Sequence, residues 1–209
     1  MNITIFVYDG FTALDAVGPY EVLSRLPGAT TTFVAPKAGS VRTDNGILGL
    51  VADAALADVD STDLLLVPGG PGTGALGDEP VIGGHLRRLD ETSRVTASVC
   101  TGALILGAAG ILKGRRSTTH WAFLEALRAY GAEPVGERVV VDGKYWGAAG
   151  VSAGIDMALQ LTAALEGEFV AQAIQLGIEY DPGPPFDTGS PAKAPAPLVE
   201  VVRQRLTGG

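Results

Sequence analysis

The run "LLLVPGG", residues 64–70, is apolar at four consecutive positions and then stops on Pro-Gly-Gly. A strand with one wet face alternates apolar and polar residues. A run without alternation needs apolar cover on both sides, the environment of a parallel strand between two helical layers. "ITIFVY" (3–8), "TTTFVA" (30–35) and "RVTASV" (94–99) are further β-branched runs of similar length. Between them lie stretches with apolar residues at helical spacing: "VGPYEVLSRL" (17–26), after a turn "DGFTALD", and a more polar one from Ile82 to about Thr92. Strands alternating with helices predict an α/β fold: a three-layer sandwich, its mostly parallel sheet covered by helices on both faces.

Further helices are predicted over "GALILGAAGIL" (102–112), "HWAFLEALRAY" (120–130) and about Ser152 to Glu179, the last with a break near Gly167. "RVVVDGKYWGA" (138–148) reads as a hairpin, because Asp-Gly between apolar flanks suits a tight turn. The chain is expected to form one domain over residues 1–209. Residues 182–209 are taken as a Pro-rich loop and a C-terminal helix, "LVEVVRQRL", packed on it.

Composition narrows the partners. With 15 basic against 23 acidic residues and a net charge of -8, the chain lacks the basic footprint of a nucleic-acid binder. One cysteine allows neither an internal disulfide nor a Cys-based zinc cluster, and suits a reducing cytoplasm. The N-terminus reads as a first strand without the basic start of a signal peptide, and no apolar run approaches the roughly 20 residues of a membrane span. A soluble cytoplasmic protein is expected.

In a parallel sheet the functional crevice lies beyond the carboxyl ends of the strands. That rule selects the segments after Tyr8, Val67 and Val99, and the last of these opens on Cys100. A cysteine there reads in two ways. It is a buried small hydrophobe, or a thiolate favoured by the N-terminus of the next helix. "VPGGPGTG" (67–74) is either a tight turn or a set of backbone N–H groups offered to an anion, and it lacks the phosphate-loop spacing. Asp15 is either a helix N-cap or a partly desolvated carboxyl suited to proton transfer. His120 opens a helix, where a lone histidine is more often structural. The two histidines have no metal-ligand spacing. Asp181 sits at a helix end that disfavours carboxylates, which makes it a second candidate polar group.

Taken together, "VYDGFTALDAVGPYEVL", "LLLVPGGPG", "SVCTGALILGAAGIL", "TTHW" and the Asp-Gly hairpin resemble the ThiJ/PfpI superfamily. The resemblance runs from Asn2 to about Pro191 and implies a flavodoxin-like fold similar to that of the class I glutamine amidotransferases. It implies Cys100 as nucleophile on a strained elbow and Asp15 as its acid/base partner. Thr101 stands where the protease-like branch has histidine, so a Cys-His dyad is not expected. The acidic charge and the end of the chain at Gly209 do not fit the branch that carries a helix-turn-helix domain. "IEYDPGPPFDTGSP" (178–191) is similar to the branch that hydrates isonitriles. That likeness implies an isonitrile substrate, Thr101 in support, an oxyanion-type N–H from Gly70, Asp181 lining the site, no cofactor or metal, and a homodimer. A glyoxalase- or deglycase-like reaction on α-oxoaldehydes, or a cysteine redox sensor, would use the same Cys100 and Asp15.

Overall fold

Apolar runs become the buried strands that their composition requires. The computed structural model describes residues 1–77 and 79–208, and the chain divides into two compact units, Met1–Ile178 and the segment from Glu179 onward. The first unit begins with β1 (Asn2–Phe6), α1 (Ala13–Leu23), β2 (Thr30–Ala35), β3 (Gly39–Arg42), β4 (Gly49–Ala52) and β5 (Ala54–Ala55). It continues through β6 (Leu64–Val67), α2 (Thr73–Gly77), α3 (Pro80–Thr92), β7 (Val95–Val99) and α4 (Gly102–Ala108). Then come β8 (Arg116–Ser117), a 3₁₀ helix (Trp121–Tyr130), β9 (Glu133–Pro134), β10 (Val139–Asp142), β11 (Tyr145–Ala148), α5 (Ala153–Glu166) and α6 (Glu168–Gly177).

Seven strands form the main sheet in the order β10-β11-β7-β6-β1-β2-β5. Within that sheet, among the described residues, the β10–β11 hairpin alone pairs antiparallel, and β3 and β4 form a separate antiparallel pair. The central β6 and β7 are buried at every position. Each buried Leu or Val there stabilises the fold by about 1.5–3 kcal/mol relative to exposure. The α/β expectation therefore holds, with helices packed around a mostly parallel sheet.

Several local expectations change. Helix α1 starts at Ala13, four residues before the predicted start, so "ALD" belongs to its first turn. Helix α4 is only seven residues long, because the chain turns left-handed at Gly110 (φ 79°). The "HWAFLEALRAY" segment winds as a 3₁₀ helix. The break at Gly167 is present, between α5 and α6. Strands β3, β4 and β5 were not read from the sequence.

One contact sets the site. A Cβ on Gly154 would lie 2.9 Å from Pro19 Cγ, and one on Gly18 would lie 3.0 Å from Ile155 Cγ1. Small residues thus let α1 and α5 approach closely, which fixes the first turn of α1 at the end of the sheet. The second unit holds α7 (Ala196–Thr207) and a Pro-rich stretch with a Lys193–Asp187 ion pair of 2.6 Å. Among the described residues no helix is long and apolar enough to cross a membrane.

Candidate active site

Cys100 stands between β7 and α4 with φ at 57°, a left-handed backbone that costs a non-glycine residue about 1–2 kcal/mol. Bonds on both sides impose it. The Cys100 N–H donates to Ala148 O at 3.0 Å, which prolongs the β7–β11 ladder by one residue. Its carbonyl accepts from Thr119 Oγ1 at 2.7 Å. Beyond the bend, a Cβ on Gly102 would lie 2.1 Å from Val67 O, so only glycine lets α4 start so close to β6.

The glycines after β6 have a related cause. A Cβ on Gly69 would meet Thr101 N at 2.4 Å, and one on Gly70 (φ 142°) would meet Gly10 O at 2.4 Å. The "PGG" segment is thus the lining where three strand ends converge on Cys100.

Asp15 lies in the first turn of α1 and is fully buried. The N-cap position belongs to Thr12, so the capping reading of Asp15 does not hold. Its Oδ2 accepts from the Gly69 N–H at 3.0 Å, while Oδ1 is buried without a hydrogen bond of ordinary geometry. Burial pushes the carboxyl up to about 7, against the opposing pull of the Gly69 N–H and the Cys100 thiol.

The Cys100 thiol is also pushed up, by burial first and by the Asp15 carboxylate next, despite the Thr101 N–H. This corrects the expectation of a thiol lowered by the helix. A helix terminus supplies about 0.3–2 kcal/mol, and α4 has only seven residues. Burial shifts a titrating group by up to about 3–5 units, at about 1.4 kcal/mol each. Desolvation wins, and because the thiol is raised above the carboxyl, the proton the pair keeps above about pH 7 sits on sulfur.

Thr101, buried beside Cys100, has its hydroxyl in a polar network. Its Oγ1 accepts from the Gly70 N–H at 2.9 Å and lies 3.0 Å from Thr73 Oγ1. The Gly70 N–H is therefore already engaged by Thr101, which removes the oxyanion role expected of it in this arrangement.

His120 accepts from the Ala122 N–H through Nδ1 at 3.3 Å and caps the 3₁₀ helix. Burial lowers its pKa and keeps it neutral. Asp181 is an exposed residue of the second unit.

Sequence reading missed Tyr8 and Thr73. Tyr8, buried at the end of β1, lies 3.0 Å from Pro68 O and 3.1 Å from Thr73 Oγ1. The strand-end rule had selected that place but not that side chain. A cavity of about 240 Å³ lies elsewhere, between α2, α3 and α4, and neither Cys100 nor Asp15 lines it. Cys100 itself keeps 6% of its surface exposed.

A parallel sheet ending on a strained cysteine elbow, faced by a buried carboxyl from the helix after strand one, defines an α/β cysteine-elbow protein of glutamine amidotransferase-like architecture. The DJ-1/PfpI family model matches residues 1–164, and the chain belongs to the DJ-1/PfpI family. It is 41% identical over 205 residues to an isonitrile hydratase of Pseudomonas putida, covering 98% of this chain and 90% of that one. A deglycase of Thermococcus kodakarensis is 30% identical over 151 residues, covering 69% and 87%. Among solved structures, a ThiJ/PfpI family protein from Pseudomonas syringae superposes with a TM-score of 0.96 at 37% identity, covering 99% of this chain and 86% of that one.

Proposed function

We propose that the protein hydrates organic isonitriles to N-substituted formamides, with Cys100 as nucleophile and Asp15 as proton carrier. The observation that carries the reading is the buried pair itself: a thiol coupled to a carboxyl that titrates at about 7 and keeps one oxygen uncommitted. An isonitrile must gain a proton and a nucleophile at the same terminal carbon. That carbon is terminal and unsubstituted, so it needs little room beside a thiol that is largely buried. The likeness to the Pseudomonas putida hydratase supports the same choice of substrate.

In the first step Asp15 takes the thiol proton and passes it to the isonitrile carbon, as the Cys100 sulfur, freed of that proton, bonds to the same carbon. The product is a thioimidate, with nitrogen doubly bonded to carbon and Asp15 left as carboxylate. In the second step Asp15 takes a proton from water as the oxygen adds to the carbon, and returns that proton to nitrogen. Collapse of the tetrahedral adduct breaks the C–S bond. The hydroxyl proton goes to the Asp15–Cys100 pair, and the formamide leaves. One water is consumed and no electrons change hands, which is nucleophilic catalysis with a general acid/base of suitable pKa. The raised thiol is no obstacle here, because the proton on sulfur is the one the carbon needs.

Incubation with cyclohexyl isonitrile should give N-cyclohexylformamide by mass spectrometry, with methylglyoxal left undepleted in a parallel assay. Methylglyoxal consumption with the isonitrile untouched would transfer the reading to the deglycase side of the family.

A further inference from the structure

We infer that Tyr8 fixes the direction of a buried hydroxyl chain and so keeps the Thr101 hydroxyl proton turned away from Cys100. This makes Tyr8 a positioning residue, and it rests on the reading of Cys100 as the reactive thiol.

The chain has three hydroxyls in series: Tyr8 Oη is 3.1 Å from Thr73 Oγ1, which is 3.0 Å from Thr101 Oγ1. Each can donate one proton, and the two ends decide the order. At one end Tyr8 Oη lies 3.0 Å from the Pro68 carbonyl, which can only accept. Among the described residues Tyr8 is the donor this buried carbonyl has, and two oxygens at that distance without a proton between them repel. Tyr8 therefore donates to Pro68 O and accepts from Thr73. The Thr73 proton is then committed to Tyr8, so Thr73 accepts from Thr101.

At the other end the Gly70 N–H donates to Thr101 Oγ1 at 2.9 Å, which agrees with the same direction. The competing acceptor for Thr101, Gly70 O, is 3.4 Å away, beyond the usual O–H···O range. All three hydroxyl protons run from Thr101 to Pro68, and none points at the sulfur.

The titratable groups acting on Cys100 are Asp15 from α1 and Tyr8 from the end of β1. The segment before the 3₁₀ helix contributes only the Thr119 hydroxyl, which is spent on the Cys100 carbonyl. The Thr101 hydroxyl is within interaction range of the sulfur and would favour a thiolate if it turned. Held where it is, it leaves the shared proton to Asp15 alone and bars Thr101 from relaying it.

Two substitutions release the Thr101 proton by different routes. Tyr8→Phe removes the acceptor of the Thr73 proton, which can then satisfy itself only by donating to Thr101. Thr73→Val removes the acceptor of the Thr101 proton and leaves the Tyr8–Pro68 bond in place. Either way Thr101 loses Thr73 as its acceptor, and the charged sulfur outcompetes Gly70 O, 3.4 Å away, for its proton, which favours the thiolate.

Because Cys100 is the only cysteine, the rate of its alkylation by iodoacetamide at a fixed pH, well below its titration, reports its thiolate fraction, whether or not an isonitrile is turned over. That rate should rise about tenfold in both variants, and Thr73→Ser should keep the wild-type rate. Circular dichroism checks that each variant is folded. A rate that is unchanged or falls in both folded variants would overturn the proposal, because the opposite hydroxyl order already gives the thiol its donor. A failed isonitrile assay together with the faster alkylation would count against the substrate and leave the hydroxyl order standing.

Discussion

Cys100→Ala is expected to reduce isonitrile turnover by about 10⁴-fold or more while the protein stays folded. Removal of a nucleophile acting in concert with a proton carrier costs nearly the whole of their joint effect, and what remains comes from binding and local polarity. The fold should tolerate the change. Alanine meets the same left-handed backbone that Cys100 already occupies at φ 57°, and the backbone bonds to Ala148 and Thr119 do not involve the side chain. Thermal unfolding of the variant should therefore stay within a few degrees of wild type. Cys100→Gly should be equally inactive and about 1 kcal/mol more stable than the alanine variant, because glycine removes the Cβ that makes this conformation costly. Formamide release measured beside the unfolding midpoint checks both halves.

Asp15→Asn should separate catalysis from stability. Formamide release should fall by about 10²–10⁴-fold, since the amide can neither deliver nor take the proton. Stability should move the other way, in a pH-dependent manner. Asp15 titrates near 3.8 when unfolded and at about 7 in the folded chain. Between those values the folded state binds more proton than the unfolded state, so wild-type stability is full below about pH 4 and is lost as pH rises through about 7. A gap of that size corresponds to as much as about 4 kcal/mol. Asparagine stays neutral, can still accept the Gly69 N–H, and escapes this loss. Denaturant unfolding should find the variant more stable than wild type at pH 8 and close to it at pH 4. A variant no more stable at pH 8 would mean that Asp15 is not desolvated as its burial implies.

The parts of this protein that are legible in sequence are those governed by one short stretch. "LLLVPGG" announces a central strand because an unbroken apolar run needs cover on both faces. Asp142-Gly143 announces the hairpin, and Gly167 the break between α5 and α6. The strand-end rule then leads to Cys100 and to the neighbourhood of Asp15.

Other features depend on what packs against what. The close approach of Gly18 and Pro19 to α5 is one such feature, which no local pattern reveals. The Asn45-Gly46 turn between β3 and β4 was a readable signal, but the strands are short and mostly exposed, so periodicity says little there. Helix position suggested a lowered thiol, and burial decided the opposite. Tyr8 and Thr73 looked like ordinary core and loop residues, because a hydroxyl chain spanning residues 8, 73 and 101 exists only after folding.

The most direct test of the account is the mass of the protein during turnover. Wild-type protein mixed with excess cyclohexyl isonitrile and quenched in acid within milliseconds should show a fraction heavier by one isonitrile. Peptide mapping should place that mass on the fragment containing Cys100, and it should disappear as substrate is exhausted. Steady formamide production with Cys100 unmodified at every time point, or production that survives in Cys100→Ala, would contradict the covalent route.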